Sequence, residues 1–108
     1  MGGFNQPQAH VQVVLNMVEF GMEPQTALDA PRFCILDGKP ISSIAFEEGI
    51  EEEQILKLKE MGHTAILKPL SGNERLTFGN GQIIVRNSSN GVLWAGSDPR
   101  IDGCAIGF

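Results

Sequence analysis

The stretch HVQVVLNMVEF, residues 10–20, constrains the fold more than any other part of this chain. Its polar members Gln12, Asn16 and Glu19 fall at i, i+4 and i+7, one narrow stripe on a helix. The rest of that surface carries Val11, Val13, Val14, Leu15, Met17, Val18 and Phe20. The β-branched valines leave a strand open as an alternative, but the polar stripe and a C-terminal cap at Gly21 favour a helix. A helix this apolar needs cover on more than one side. The chain has 108 residues, one domain at most. The segment is therefore a first sign that the chain is part of something larger.

Downstream, Pro24 suits the first position of a second helix, PQTALDA, which Pro31 ends. RFCIL and ISSIAF read as strands around the turn DGKP. EEEQILKLKEM is the clearest helix: Glu51, Glu52 and Glu53 complement the positive end of its dipole, Lys57 and Lys59 the negative end, and Gly62 caps it. That acidic run is a solvated helix start rather than a metal site. TAILKPL, RLTF, QIIVR and VLWAG are strand candidates, the last three separated by Gly79-Asn80-Gly81 and NSSNG as hairpin turns. The order predicts an α+β domain over residues 1–108, a largely antiparallel sheet with helices packed on one face.

Composition excludes several functions. The net charge is −5, and the eight Lys and Arg residues form no dense block, so nucleic acid is not an expected partner. No leader opens the chain and no apolar run approaches the ~18 residues of a membrane span, so the expectation is a cytoplasmic protein with no membrane partner. Asn87-Ser88-Ser89 reads as a turn rather than a glycosylation site. Cys34 and Cys104 match no CxxC or zinc pattern. Two buried thiols are expected, with a disulfide left open.

Motifs for a self-sufficient active site are absent: no GxSxG, HExxH or P-loop occurs, and no metal or cofactor is expected. His10, His63 and Trp94 read as structural, Trp94 in the core. The opening MGGFNQPQAH is the exception. Gly2 and Gly3, at the entry to a helix, present backbone N–H groups with no Cβ in the way. The helix's positive end adds to their pull on negative charge. Such a pair serves either as an oxyanion hole in acyl transfer or as a tight turn that lets backbone and helix pack.

Taken together, MGGFNQPQAHVQVVLNMVEFGMEPQTALDAPRF and GVLWAGSDPRIDGCAIGF resemble the γ-glutamyltransferase (γ-glutamyltranspeptidase) family of N-terminal-nucleophile hydrolases. The first resembles the family's run from an oxyanion-hole glycine pair through two helices to Ala-Pro-Arg-Phe, the second its C-terminus around Gly-Ser-Asp-Pro-Arg. The resemblance covers essentially the whole chain and identifies it with the C-terminal part of the small subunit. It implies part of a four-layer αββα sandwich, of which this length supplies about one sheet and its helices. It implies γ-glutamyl transfer or hydrolysis in the complete enzyme, with Gly2 and Gly3 as the oxyanion hole. The family's nucleophile, an N-terminal threonine released by autoprocessing, has no counterpart here: Met1 precedes Gly2, and Thr26, Thr64 and Thr77 match no nucleophile motif. Arg32, Asp98 and Arg100 match positions read as structural, pinning the C-terminal segment. The chain alone is thus expected to be inactive. Its expected partner is the rest of a γ-glutamyltransferase-like chain or a further copy of itself, and γ-glutamyl compounds would bind only a complete site. The alternative is a non-catalytic assembly or interaction domain derived from the family.

Overall fold

The computed structural model describes residues 2–39, 41–65 and 68–107. A 3-10 helix, Gly3–Asn5, runs straight into α1, Gln6–Val18, with Pro7 in the first turn, where a missing N–H costs nothing. Beyond α1, Gly21 at φ +64° turns the chain so that the Met22 N–H reaches the Asn16 carbonyl at 2.9 Å. α2 spans Pro24–Asp29. β1, Phe33–Ile35, pairs antiparallel with β2, Ser43–Phe46, and β2 pairs parallel with β3, Thr64–Ala65. Between them lies α3, Glu52–Glu60. It ends in two bonds, Gly62 N–H to Lys59 carbonyl at 2.9 Å and His63 N–H to Leu58 carbonyl at 3.0 Å, with Gly62 at φ +95°. β4, Gln82–Arg86, and β5, Leu93–Ser97, form an antiparallel hairpin.

The α+β class holds, with antiparallel pairing in both sheets and parallel pairing between β2 and β3. The strands divide between two sheets rather than one, in the orders β1-β2-β3 and β4-β5. RLTF is not a strand. Residues Gly72–Phe78 form a second 3-10 helix. Its period of three places Arg75 and Phe78 on the same inward side, whereas Leu76, an inward position in a strand alternating with Phe78, is exposed. Gly79-Asn80-Gly81 therefore joins a helix to β4 and is not a hairpin turn, while NSSNG does join β4 to β5. Of TAILKPL, residues 66–67 lie outside the described residues; β3 is its start, and Leu70 forms a parallel bridge to Glu47.

The core is built by alternation along β2. Ala45 packs with Cys34 and Phe78 on one face, and Ile44 and Phe46 pack with Ile55 of α3 on the other. α2 lies on the second sheet so closely that a Cβ at Gly96 would come within 2.8 Å of the Pro24 and Gln25 backbone. Trp94 is not core: it is about half exposed. Cys104 is exposed as well, Cys34 is buried, and both thiols are free.

α1 keeps much of its apolar surface outward. Its half-buried side is mixed: Gln8 and Gln12 lie along the edge of β1, the Asn16 amide donates to the Ala27 carbonyl at 3.4 Å, and Ala9, Val13 and Met17 lie beside them. Its outward residues are apolar, with Val14 53% and Val18 77% exposed, and none of its residues is buried. Two members of the polar stripe, Gln12 and Asn16, thus touch the domain, while Glu19 is exposed. The need for cover read from the sequence stands, on the opposite side.

Candidate active site

Gly2 lies in front of the first 3-10 helix, and its carbonyl accepts the Asn5 N–H at 2.8 Å. A Cβ on Gly2 would stand 3.3 Å from the Gly79 Cα, so the two backbones are in direct contact. Gly3 is exposed at φ +47°, with open space where a Cβ would project. Only glycine adopts that conformation without strain. Among the described residues, no acceptor meets the Gly3 N–H. Asn5, the residue before α1, makes no capping bond, so the positive end of that helix is not offset by a side chain. Asn5 itself is buried, and neither polar atom of its side chain has a partner among the described residues.

Gly79, the brace behind Gly2, is held by an ionic hub that joins both sheets to α2. Arg32 donates to the Gly79 carbonyl at 3.1 Å, to the Leu28 carbonyl at 3.1 Å and to Asp98 at 2.8 Å. Asp98 also accepts the Gly81 N–H at 3.0 Å and the Arg100 side chain at 3.0 Å. Arg100 forks onto Glu47 and reaches the Leu28 and Ala30 carbonyls at 2.7 and 3.1 Å. Arg75 approaches Glu47 from the rim. Arg32, Glu47, Asp98 and Arg100 are all buried. Three guanidinium groups face two carboxylates, and the carbonyls at the end of α2 supply the remaining negative partial charge.

The titration directions follow from this packing. Burial pushes the Asp98 carboxyl up, but the Arg100 backbone N–H and the Arg32 charge outweigh it and hold the group below the usual carboxylate range. Burial pulls Arg100 down, and the hydrogen bond and charge of Glu47 more than offset that, so it is raised. Arg32 is lowered by burial and by the neighbouring Arg100. These shifts belong to a structural ion-pair network, in line with the sequence reading of Arg32, Asp98 and Arg100 as pins.

The other candidates are dispersed. His10 lies in the first turns of α1, where its Nδ1 is 2.7 Å from the Gln6 carbonyl, and His63 is exposed after α3. Thr26, Thr64 and Thr77 sit in α2, β3 and the second 3-10 helix. Glu51, Glu52 and Glu53 are exposed, Glu53 pairing with Lys57 at 2.6 Å. Sequence reading missed Glu47 and Arg75. The available signal was that Glu47 continues the inward alternation of Ala45, a carboxylate at a core position.

The fold is shared with solved N-terminal-nucleophile hydrolases of the gamma-glutamyltranspeptidase type. The family model described as gamma-glutamyltranspeptidase matches residues 1–108, and the chain belongs to that family. It is 32% identical over 109 residues to the glutathione hydrolase-like YwrD proenzyme of Bacillus subtilis, covering 99% of this chain and 20% of that protein. It is 30% identical over 111 residues to the oxamate amidohydrolase proenzyme of Klebsiella pneumoniae, covering 100% of this chain and 20% of that protein. The crystal structure of cephalosporin acylase from Bacillus halodurans superposes with a TM-score of 0.83 at 40% identity, covering 96% of this chain and 18% of that one. The chain thus spans about a fifth of the length of the relatives it matches.

Proposed function

We propose that this chain supplies the oxyanion-binding part of a γ-glutamyltranspeptidase-type acyl-transfer site, whose threonine nucleophile comes from another portion of polypeptide. The observation that carries the reading is the conformation of Gly2 and Gly3 ahead of an uncapped helix start, with Gly2 braced by Gly79 and Gly3 open. In the complete site the threonine hydroxyl would attack a γ-glutamyl amide carbonyl, its proton passing to the α-amine. The carbonyl oxygen would become an oxyanion facing the Gly2 and Gly3 N–H groups. Collapse would expel the amine, which takes up the proton held by the α-amine, and leave a γ-glutamyl ester, which water or a second amine resolves to free the threonine hydroxyl. The relatives, a glutathione hydrolase-like proenzyme, an oxamate amidohydrolase and a cephalosporin acylase, share amide hydrolysis or acyl transfer by name and differ in the acyl group. The shared chemistry supports acyl transfer more strongly than any one substrate.

The test is to produce the chain together with the polypeptide encoded upstream of it and measure both complex formation and release of aniline from a γ-glutamyl anilide. A complex with turnover is expected, and the chain alone is expected to be inert. Absence of both complex and turnover would favour the alternative of a non-catalytic assembly domain. Turnover by the chain alone that survives replacement of Thr26, Thr64 and Thr77 would remove the need for an external threonine.

A further inference from the structure

We propose that Asn90, in the turn between β4 and β5, is a site of spontaneous covalent modification, where the side-chain amide passes through a cyclic imide to an isoaspartyl linkage or to aspartate. In that turn the Gly91 N–H donates to the Asn87 carbonyl at 2.8 Å, with Gly91 at φ +75°. A left-handed backbone there favours glycine, and glycine leaves the nitrogen that follows Asn90 with no side chain to shield it. The turn thus demands the neighbour that makes Asn90 reactive. Asn90 and Gly91 are both exposed. The Asn90 Oδ1 accepts the Val92 N–H at 3.0 Å, which draws electron density away from the Cγ that the Gly91 nitrogen would attack.

The step balances with water alone. The Gly91 backbone nitrogen gives its proton to a solvent base and bonds to the Asn90 Cγ. The Cγ–Nδ2 bond breaks, and that nitrogen takes a proton from water and leaves as ammonia. Water then opens the imide at one of its two carbonyls. Breaking the new Cγ–N bond leaves aspartate on the original main chain. Breaking the original peptide bond to Gly91 routes the main chain through Cβ and Cγ of residue 90. The second product carries an extra methylene within the turn, so the Gly91 N–H no longer meets the Asn87 carbonyl.

A second Asn-Gly pair, Asn80-Gly81, precedes β4, and the structure separates the two. The Gly81 N–H donates to the buried Asp98 carboxylate at 3.0 Å, and its carbonyl accepts the Asp98 N–H at 3.2 Å. A Cβ on Gly81 would lie 3.1 Å from Leu28 Cδ2. Freeing that nitrogen means opening the ionic hub, whereas freeing the Gly91 nitrogen means breaking a neutral hydrogen bond at the surface. Asn5, Asn16, Asn73 and Asn87 are each followed by a residue whose side chain hinders the attack.

The experiment is to incubate the full chain at mildly alkaline pH, native and in urea, and to map its peptides by mass spectrometry for the exchange of amide for carboxylate. Methyl transfer from S-adenosylmethionine by an isoaspartyl-specific carboxyl methyltransferase then reads out the isoaspartyl form. In the native chain Asn90 is expected to convert within about 10-fold of its rate in urea, and Asn80 about 100-fold or more slowly than in urea. In urea the two sites should convert at similar rates. Asn90→Gln, which would have to close a larger and less favoured ring, should abolish methyl acceptance by the native chain. Three results overturn the proposal: Asn80 converting as fast as Asn90 in the native chain; native Asn90 left intact while the chain in urea converts; or methyl acceptance by the native chain that survives Asn90→Gln. None of these outcomes depends on the acyl-transfer reading.

Discussion

Gln12 bonds both backbone groups of Phe33, accepting its N–H at 2.9 Å and donating to its carbonyl at 3.0 Å. One turn earlier, Gln8 does the same for Ile35 at 2.8 and 3.1 Å. Two side-chain amides four residues apart on a helix thus match the spacing of alternate residues on an edge strand. Gln8→Ala and Gln12→Ala should each cost about 1–2 kcal/mol, at the net worth of roughly a kcal/mol per hydrogen bond. The double variant should also aggregate faster, because β1 then shows an open edge. Urea midpoints and light scattering measure the two effects.

Glu47 accepts from both side chains that reach it, Arg100 and Arg75, and from the Arg32 backbone N–H. Glu47→Gln leaves the buried Arg100 without its main counter-charge. A loss of about 3–5 kcal/mol is expected, enough to unfold much of a chain this small. Circular dichroism in urea checks it. Glu48→Gln, a neighbour on the surface, should stay within about 0.5 kcal/mol of the parent.

Asp98 gives the acid side of the stability curve its sign. Its carboxyl is held below the ordinary value in the folded chain. The stability this adds is fully present above the unfolded value, near ~3.9, and disappears as the pH falls through the lower folded one. Asp98→Asn should be less stable at pH 7, yet lose less than the parent between pH 5 and pH 3. Parallel curves for the two proteins over that window would contradict the assignment.

The two thiols should separate cleanly. Burial raises the Cys34 thiol, whereas Cys104 is exposed. Iodoacetamide at pH 8 should label Cys104 in the native chain and both cysteines in urea. Mass spectrometry of the peptides identifies the modified residue.

Gly2→Ala places a methyl 3.3 Å from the Gly79 Cα, tighter than ordinary van der Waals contact. In an active complex the shift of one oxyanion donor should lower kcat by about 10²–10³ and leave KM little changed. An unchanged kcat would argue against the proposed role of the pair. Gly3→Ala meets no steric obstacle but is strained by its left-handed backbone.

The helices, the two hairpins and the α+β class were legible because each rests on local signals: prolines at helix starts, glycines at helix ends, short apolar runs such as QIIVR and VLWAG bounded by turn residues. RLTF misled because four residues cannot distinguish a period of two from one of three, and the partners that the helix meets, Glu47 for Arg75 and Cys34 and Ala45 for Phe78, are distant in sequence. The glycine pair was visible as a motif, but its brace at Gly79 was not, since that contact spans most of the chain. Trp94 and Cys104 were placed inside on residue type alone, which says how well a side chain suits a core but not whether this chain provides one.

The outward face of α1 has a practical corollary for anyone handling the protein. Replacing Val11, Val14 and Val18 with lysines would touch nothing the domain itself relies on and would rid the surface of its stickiest strip. The same edit would deny any covering layer its footing. On this helix, better behaviour in the test tube and loss of any such cover would be one phenotype seen from two sides.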